Sequence, residues 1–154
     1  MVNPIPEGYH SITPYLAVRD AAEAIDWYKQ VLSASEVMRH EDGGKIAHAE
    51  IKIGEAIIML SDEWPEGGHL APSADGSPVS LMLYVEDVDS AFQRAIHGGA
   101  KEVRAVKDQF YGDRSGILSD PFGHRWHLAT HVRDVPEDEM RKAMDEMAKE
   151  KLTA

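Results

Sequence analysis

The chain has 154 residues, a formal net charge of −11 and no cysteine. Its length suits one folding unit, and 43% hydrophobic with 28% charged residues is ordinary for a soluble globular protein. The acidic balance argues against nucleic acid or an anionic membrane as a partner, and the lack of cysteine excludes disulfides and thiolate metal sites. Because the opening residues MVNPIPEGYH lack a basic segment followed by an apolar one, we expect a cytoplasmic protein.

A pattern occurs twice along the chain. The stretch LAVRDAAEAIDWY, which begins at Leu16, resembles LYVEDVDSAFQRA, which begins at Leu83. In each copy, a strand-like alternation leads to an aspartate, Asp20 or Asp87, that can cap a helix. Apolar residues then recur at helical spacing: Ile25, Tyr28 and Leu32 in the first copy, and Val88, Phe92, Ala95 and Ile96 in the second. Gly98 and Gly99 are expected to end the second helix.

Short strand-like segments follow each predicted helix. They span about residues 36–40, 46–53 and 56–61 in the first copy, and 102–108, 116–119 and 125–130 in the second. Residues 62–78 are rich in Gly, Pro, Ser and Asp, which is typical of a linker. The predicted architecture is therefore α+β, with βαβββ units at 9–61 and 79–131 and a C-terminal helical segment at 132–154.

Alternation along the strands also predicts two faces for each sheet. Apolar positions such as Ala47, Ala49 and Leu81 are expected on the helix side, while His48, Glu50 and Met82 should face a cavity or solvent. In the C-terminal segment, methionines at helical spacing predict an apolar stripe: Met140, Met144 and Met147. We expect this helix to pack on its own domain, with a dimer interface as the alternative.

The repeat, its element order and the closing segment DPFGHRWHLA resemble the vicinal-oxygen-chelate superfamily, which includes glyoxalase I, bleomycin-resistance proteins and extradiol dioxygenases. The stretches HAEIKIGEAIIMLSDE and YGDRSGILSDPFGHRW are most similar to its PhnB-like, glyoxalase-related branch. The resemblance covers about residues 9–131. It implies two curved mixed sheets around a cavity, and a homodimer in which cavities form between units.

Metal-using members of that superfamily place one ligand on the first strand and one on the last strand of each unit. The matching positions here are Thr13, Met59, Ser80 and His127. Hydroxyl and thioether groups are poor substitutes for carboxylate or imidazole at a divalent ion. We therefore expect no cofactor and disfavour a divalent metal, and we do not transfer glyoxalase I or dioxygenase activity.

Three residues are candidates for acid–base chemistry: His48, Glu50 and His127. His48 and Glu50 lie two apart on one strand and share a face, so Glu50 could orient His48 as a base. Three readings stay open: a merely polar strand face, acid–base or ligand-binding work, and a rebuilt metal site that includes His127. His124 faces away from His127 and is expected to be exposed in a turn.

Candidates for the wall of a ligand cavity are the following: Thr13, Tyr15, Met59, Ser80, Met82, Tyr84, Tyr111 and Arg114. Tyr111 and Arg114 flank Asp113 in a glycine-bounded segment, which either closes over a ligand or forms a turn held by an Asp–Arg pair. We predict binding of a small organic molecule without the usual metal. The alternative is a metal-dependent or His-assisted lyase, isomerase or dioxygenase that uses His48, Glu50 and His127.

Overall fold

A computed structural model describes residues 1–153 of the chain, and residue 154, the last of the predicted C-terminal segment, lies outside the described residues. The elements are β1 (Tyr15–Val18), α1 (Ala21–Val31), β2 (Ser35–Asp42), β3 (Lys45–Ile53), β4 (Ala56–Asp62), β5 (Ser80–Tyr84), α2 (Val88–His97), β6 (Lys101–Asp108), β7 (Asp113–Ser119), β8 (Arg125–His131) and α3 (Glu137–Thr153). The predicted α+β fold with two βαβββ units and a C-terminal helix is confirmed.

Both units form a four-stranded mixed sheet with the same strand order. The first sheet runs β1-β4-β3-β2 and the second runs β5-β8-β7-β6. In each sheet the first and last strands of the unit pair in parallel, and the other neighbours are antiparallel. The sequence repeat is thus a repeat of topology.

The helix starts predicted from the two aspartates are present. The Asp20 carboxylate accepts a hydrogen bond from the backbone amide of Glu23 at 3.0 Å, and Asp87 accepts from that of Ser90 at 3.1 Å. Each contact satisfies an amide that would otherwise lack a partner in the first helical turn. At the other end of α2, Gly99 adopts a φ of 99°, which an L side chain would resist.

One hydrophobic core joins the two units. It contains buried side chains of α1 and α2 together with the helix-facing sides of both sheets. Polar contacts also cross between the units: the Trp27 indole donates to the carbonyl of Gly98 at 2.8 Å, and the Arg94 guanidinium donates to that of Val31 at 2.8 Å. Trp27 is therefore a core residue.

The predicted faces need one correction in β3. Ala47 is exposed, and its neighbour Ile46 is buried in its place. The pairing of β2 with β3 shifts between His40 and Glu41, which leaves Ala47 without a ladder partner. Such a bulge reverses the alternation beyond it, and single-strand periodicity does not reveal it.

The segment that contains Asp113 and Arg114 also differs from expectation. Both residues begin β7 and do not lie in a loop. The Arg114 guanidinium contacts the carboxylates of Asp89 at 2.7 Å and Asp108 at 3.1 Å, so the expected Asp113–Arg114 pair does not form. On an antiparallel strand, adjacent side chains point to opposite faces, which separates the two.

His124 is partly buried, and the prediction of an exposed turn residue is wrong. Its Nε2 lies 2.9 Å from the carbonyl oxygen of Ala17 in the other unit. The Asp120 carboxylate accepts from the backbone amide of His124 at 2.9 Å and folds the turn towards β1. His124 thereby becomes a link between the two units.

Helix α3 has no fully buried residue, and of its predicted methionine stripe only Met140 is half-buried, so the expected packing on its own domain is confined to the start of the helix. Met144 and Met147 are 55% and 44% exposed. In the described part of the chain, none of the helices combines the length and apolar character that a membrane span requires.

Candidate functional site

One candidate site is a cavity of about 890 Å³ on the first unit, which we call the first-unit cavity. Its walls come from β1, the β2–β3 hairpin, the end of β4 and the linker that follows. Tyr15 and Trp64 supply aromatic surface, and Ser61 and His69 supply polar groups. The volume lies within the usual range for sites that hold small organic molecules.

A second cavity of about 550 Å³ lies between β1, the linker and β5. Tyr15 and His69 line both cavities, so they form the shared wall. The Tyr15 and His69 rings meet edge to face with centroids 5.1 Å apart. His124, which links the units, lies on the second cavity only.

His69 has an unusual hydrogen-bonding status. Its Nε2 is buried and has no hydrogen-bonding partner within residues 1–153. Buried polar groups in folded proteins are nearly always paired, with protein, water or a ligand. Because this atom is itself covered, a molecule in the adjoining cavity would pair with it once the His69 ring turns to expose it.

A chain of four side chains runs across the open face of the first sheet. The Tyr15 hydroxyl lies 2.7 Å from Nδ1 of His48, and Nε2 of His48 lies 3.1 Å from Glu50. The Tyr9 hydroxyl donates to the other carboxylate oxygen of Glu50. His48 and Glu50 meet as the alternation of β3 predicts, and the two tyrosines hold them at either end.

The charge state of Glu50 follows from these contacts. The hydrogen bond from Tyr9 lowers the pKa of the Glu50 carboxyl, burial opposes that effect, and the bond from His48 lowers the pKa further. The same contact raises the pKa of Tyr9. Glu50 is thus a largely buried carboxylate that is ionised at neutral pH.

The first-unit cavity has an acidic lining. It contains the carboxylates of Asp42, Asp62, Glu63 and Glu66 and a single ammonium group, that of Lys45. Asp62 accepts from backbone amides at the start of α1 and in β3, and Glu63 accepts from an amide of the linker. The excess negative charge favours neutral and cationic molecules over anions.

The open face of the second sheet carries His127 between Met82 of β5 and Ile117 of β7. Within the described chain, no side chain or backbone group hydrogen bonds to its imidazole. Burial lowers the pKa of His127, and Arg125 and Arg104 lower it further. The lowered pKa favours the neutral form of His127. The side chain does not line either of the two cavities.

A polar cluster lies at the end of the same sheet. Asp113 accepts from the Tyr84 hydroxyl at 2.9 Å and contacts Nδ1 of His131 at 2.7 Å, while Nε2 of His131 lies 2.9 Å from Asp134. The contact with Asp113 raises the pKa of Tyr84. Bonds to Asp113 and then Asp134 raise the pKa of His131.

The inherited metal positions do not suit a divalent ion. Thr13 precedes β1, and its hydroxyl faces the His10 carbonyl at 3.4 Å. Met59 and Ser80 offer a thioether and a hydroxyl, so only His127 is a strong donor. His48 and Glu50 lie on the first sheet and His127 on the second, and residues 1–153 contain no group of three His, Asp or Glu side chains placed to hold a metal.

Of the predicted wall residues, Tyr15 lines both cavities. The others lie elsewhere: Thr13 before β1, Met59 on β4, Ser80, Met82 and Tyr84 on β5, Tyr111 before β7 and Arg114 on β7. Their roles stay predictions. Sequence reasoning missed Tyr9, Trp64 and His69, although an exposed tryptophan in a Gly- and Pro-rich segment was a usable signal, because loops often carry function.

Known proteins resemble this chain over most of its length. An uncharacterised protein of Mycobacterium tuberculosis strain H37Rv is 44% identical over 139 residues, which cover 87% of this chain and 82% of that protein. The crystal structure of TioX from Micromonospora matches with a TM-score of 0.63 and 26% identity, covering 82% of this chain and 100% of TioX. A PhnB protein from Bacillus cereus shares the fold, with a TM-score of 0.61, 19% identity and coverage of 79% and 99%.

The family model described as the Glyoxalase/Bleomycin resistance protein/Dioxygenase superfamily matches residues 8–128. The match begins before β1 and ends within β8, so it covers almost all of both βαβββ units. By this match, and by the duplicated unit, the chain belongs to the glyoxalase/bleomycin resistance protein/dioxygenase superfamily.

Proposed function

We propose that the protein binds a small organic molecule in the first-unit cavity, without a divalent metal at the inherited positions. The cavity has the volume of a ligand site and an aromatic side formed by Tyr15 and by Trp64, which is 63% exposed. Large exposed aromatic side chains in a concave site supply stacking surface to a flat ligand.

The observation that carries this proposal is the unpaired Nε2 of His69. Leaving a buried polar atom without a partner costs about 1–3 kcal/mol, so a group that pairs with it gains affinity. The Tyr15 ring packs edge to face on His69 and orients it within the shared wall. The ligand is therefore expected to present a hydrogen-bonding atom to His69.

The charge of the lining narrows the ligand class. Four carboxylates against one ammonium favour a neutral or cationic molecule, and a cation beside Trp64 gains a further attraction to the indole face. An anion of the same size would meet repulsion. We therefore favour an aromatic molecule that carries an amine or a neutral hydroxyl.

Matched compounds test the proposal. We would compare arylethylamines, arylethanols and arylacetates with the same phenyl, naphthyl or indolyl ring by thermal shift and titration calorimetry, since a ligand of the folded state raises the melting temperature. Amines and alcohols should bind and arylacetates should not. Equal binding of all three classes, or binding of acetates alone, would contradict the charge argument.

His69→Ala is the informative variant, with His97→Ala as a matched control at an exposed position on α2. Loss of one hydrogen bond should weaken the affinity of the best compound about three- to tenfold. His97→Ala should leave it unchanged. Equal affinities for wild type and His69→Ala would place the ligand elsewhere.

A second candidate function is acid–base catalysis on the bound molecule, the His-assisted branch of the alternative given above. The observation that favours it is the contact of His48 with Glu50, which would orient the imidazole. His127 lies on the other sheet, so His48 and Glu50 would act without it within one chain.

We also propose a homodimer. Apolar side chains on the edge strands of the second sheet are exposed, among them Met82 and Val103, and so are Met144 and Met147 of α3. Light scattering should give twice the 17.1 kDa chain mass. A chain that ends before α3 should shift towards the monomer, and a monomeric full-length chain would refute the proposal.

A further inference from the structure

Three side chains on the first sheet have the geometry of an activated hydroxyl. The Tyr15 oxygen lies 2.7 Å from Nδ1 of His48, whose Nε2 lies 3.1 Å from a Glu50 oxygen. A hydroxyl becomes reactive when a base lies within about 2.6–3.2 Å and a third group orients that base. Tyr15, His48 and Glu50 meet both conditions.

The Glu50 carboxylate determines which atom donates in each of the two hydrogen bonds that His48 makes. Glu50 is ionised, because its pKa is lowered, and a carboxylate can only accept. Nε2 of His48 must therefore carry a hydrogen towards Glu50. In the neutral imidazole this leaves a lone pair on Nδ1, so the Tyr15 hydroxyl donates to it.

Tyr84 provides a comparison within the same molecule. Its hydroxyl donates directly to the Asp113 carboxylate, and that contact raises the pKa of Tyr84. Tyr15 and Tyr84 are similarly exposed, at 47% and 57%. The difference lies in the acceptor: it is an imidazole for Tyr15 and a carboxylate for Tyr84, and an imidazole is ordinarily the stronger base, with a reference pKa of about 6.5 against about 3.9 for an aspartic acid.

We infer that Tyr15 and His48 are catalytic residues that together accept a proton from a molecule in the first-unit cavity, with Glu50 as their positioning residue. The inference extends the proposed function from binding to chemistry at the same cavity. The ligand class is a neutral or cationic organic molecule with an acidic proton. The reaction class is isomerisation by proton transfer within that molecule.

The proton movements balance without a co-reactant. The ligand proton passes to the Tyr15 oxygen while the phenolic proton passes to Nδ1 of His48. The imidazolium formed then donates to Tyr15 on one side and to the Glu50 carboxylate on the other, which stabilises it. Return of the proton to a different atom of the ligand restores all three side chains and leaves an isomer.

The test uses N-acetylimidazole, which acetylates tyrosine hydroxyls and needs no ligand. The phenol oxygen attacks the acetyl carbon, its proton moves to His48 and from there to the departing ring nitrogen of the reagent, and neutral imidazole leaves. Peptide mass spectrometry follows each tyrosine separately, with hydroxylamine reversal to identify O-acetylation. Tyr15 should be acetylated about tenfold faster than Tyr84, because an imidazole is a stronger base than a carboxylate.

Variants separate activation from a structural role. His48→Gln should lower the Tyr15 rate about tenfold and leave the Tyr84 rate unchanged, and Glu50→Gln should lower it less, because the base remains. His97→Gln is the matched control and should change neither rate. Circular dichroism and the melting temperature establish that each variant is folded.

Two results would overturn the inference: equal rates at Tyr15 and Tyr84 in the wild type, or an unchanged Tyr15 rate in folded His48→Gln. Imidazole nitrogen NMR of the wild type, with the His48 signals assigned through His48→Gln, gives a further test: His48 should carry its hydrogen on Nε2, and a neutral ring with its hydrogen on Nδ1 would contradict the relay. None of these measurements uses a ligand. Their outcome is therefore independent of the ligand-binding experiments that test the proposed function, and the two proposals can fail separately.

Discussion

The hydroxyl of Tyr28 on α1 donates to the carboxylate of Asp120, 2.7 Å away, in the turn before β8. The same carboxylate accepts from the Trp126 indole and from the backbone amides of Phe122 and His124, each at 2.9 Å. Asp120 is only 4% exposed, so four donors satisfy a buried charge. The contact connects a helix of the first unit to the closing turn of the second.

Tyr28→Phe should therefore destabilise the fold. Removing a buried hydrogen bond to a charged group costs about 1.5–3 kcal/mol, and Asp120→Asn should cost more, because an amide nitrogen would face donors that need an acceptor. Urea denaturation measures both free energies of unfolding. Tyr84→Phe, at an exposed phenol that also donates to an aspartate, is the control and should cost less. A Tyr28→Phe variant as stable as wild type would contradict this role for Asp120.

His131 and His127 should titrate on opposite sides of the ordinary histidine pKa of about 6.5. The pKa of His131 is raised by Asp113 and Asp134, and that of His127 is lowered by burial. Proton NMR of the imidazole carbons measures both. Two midpoints at the ordinary value would show that neither environment is as described.

The sign of the resulting stability effect differs between the two histidines. A raised folded-state pKa means that the His131 contacts stabilise fully below about pH 6.5, and that this stabilisation is lost as the pH rises through the folded-state pKa. A lowered folded-state pKa means that His127 costs no stability at high pH, where it is neutral in both the folded and the unfolded chain. The free energy of unfolding then falls as the pH drops through the folded-state pKa of His127. Asp113→Asn should remove most of the first effect.

His127→Ala should leave the unfolding free energy within about 0.5 kcal/mol of the wild type. The side chain is only partly buried and has no hydrogen-bonding partner among the described residues, so little is lost on its removal. The control is Leu128→Ala, the next residue on the same strand, which is fully buried and should cost about 2–5 kcal/mol. Comparable losses at both positions would show that His127 is a core residue.

Purified protein should contain no stoichiometric divalent metal, because Thr13, Met59 and Ser80 cannot replace the usual donors. Elemental analysis after purification without chelators measures the content. About one zinc, nickel or iron per chain would contradict the expectation. His48, Glu50 and His127 would then again be candidate ligands, with the metal bound between two copies of the chain, because the three residues lie on different sheets of one chain.

The fold was predictable and the site only in part, for physical reasons. The spacing of apolar residues around Asp20 and Asp87 reflects local helix and strand geometry, which sequence periodicity captures. The contact of His48 with Glu50 follows from the same alternation. Tyr9 and His69 lie in segments without periodicity, and long-range packing alone decides which strand they meet. The cytoplasmic location and the absence of nucleic acid and membrane partners stay predictions.

The most direct test of the central claim is an imidazole nitrogen NMR spectrum recorded while the best arylethylamine or arylethanol is added. Each histidine is assigned by its substitution. The account predicts that the His69 signals shift with saturation, because Nε2 gains a partner, and that His127 on the second sheet does not respond. Shifts at His127 with no change at His69 would place the ligand on the second sheet and contradict the first-unit cavity as the binding site.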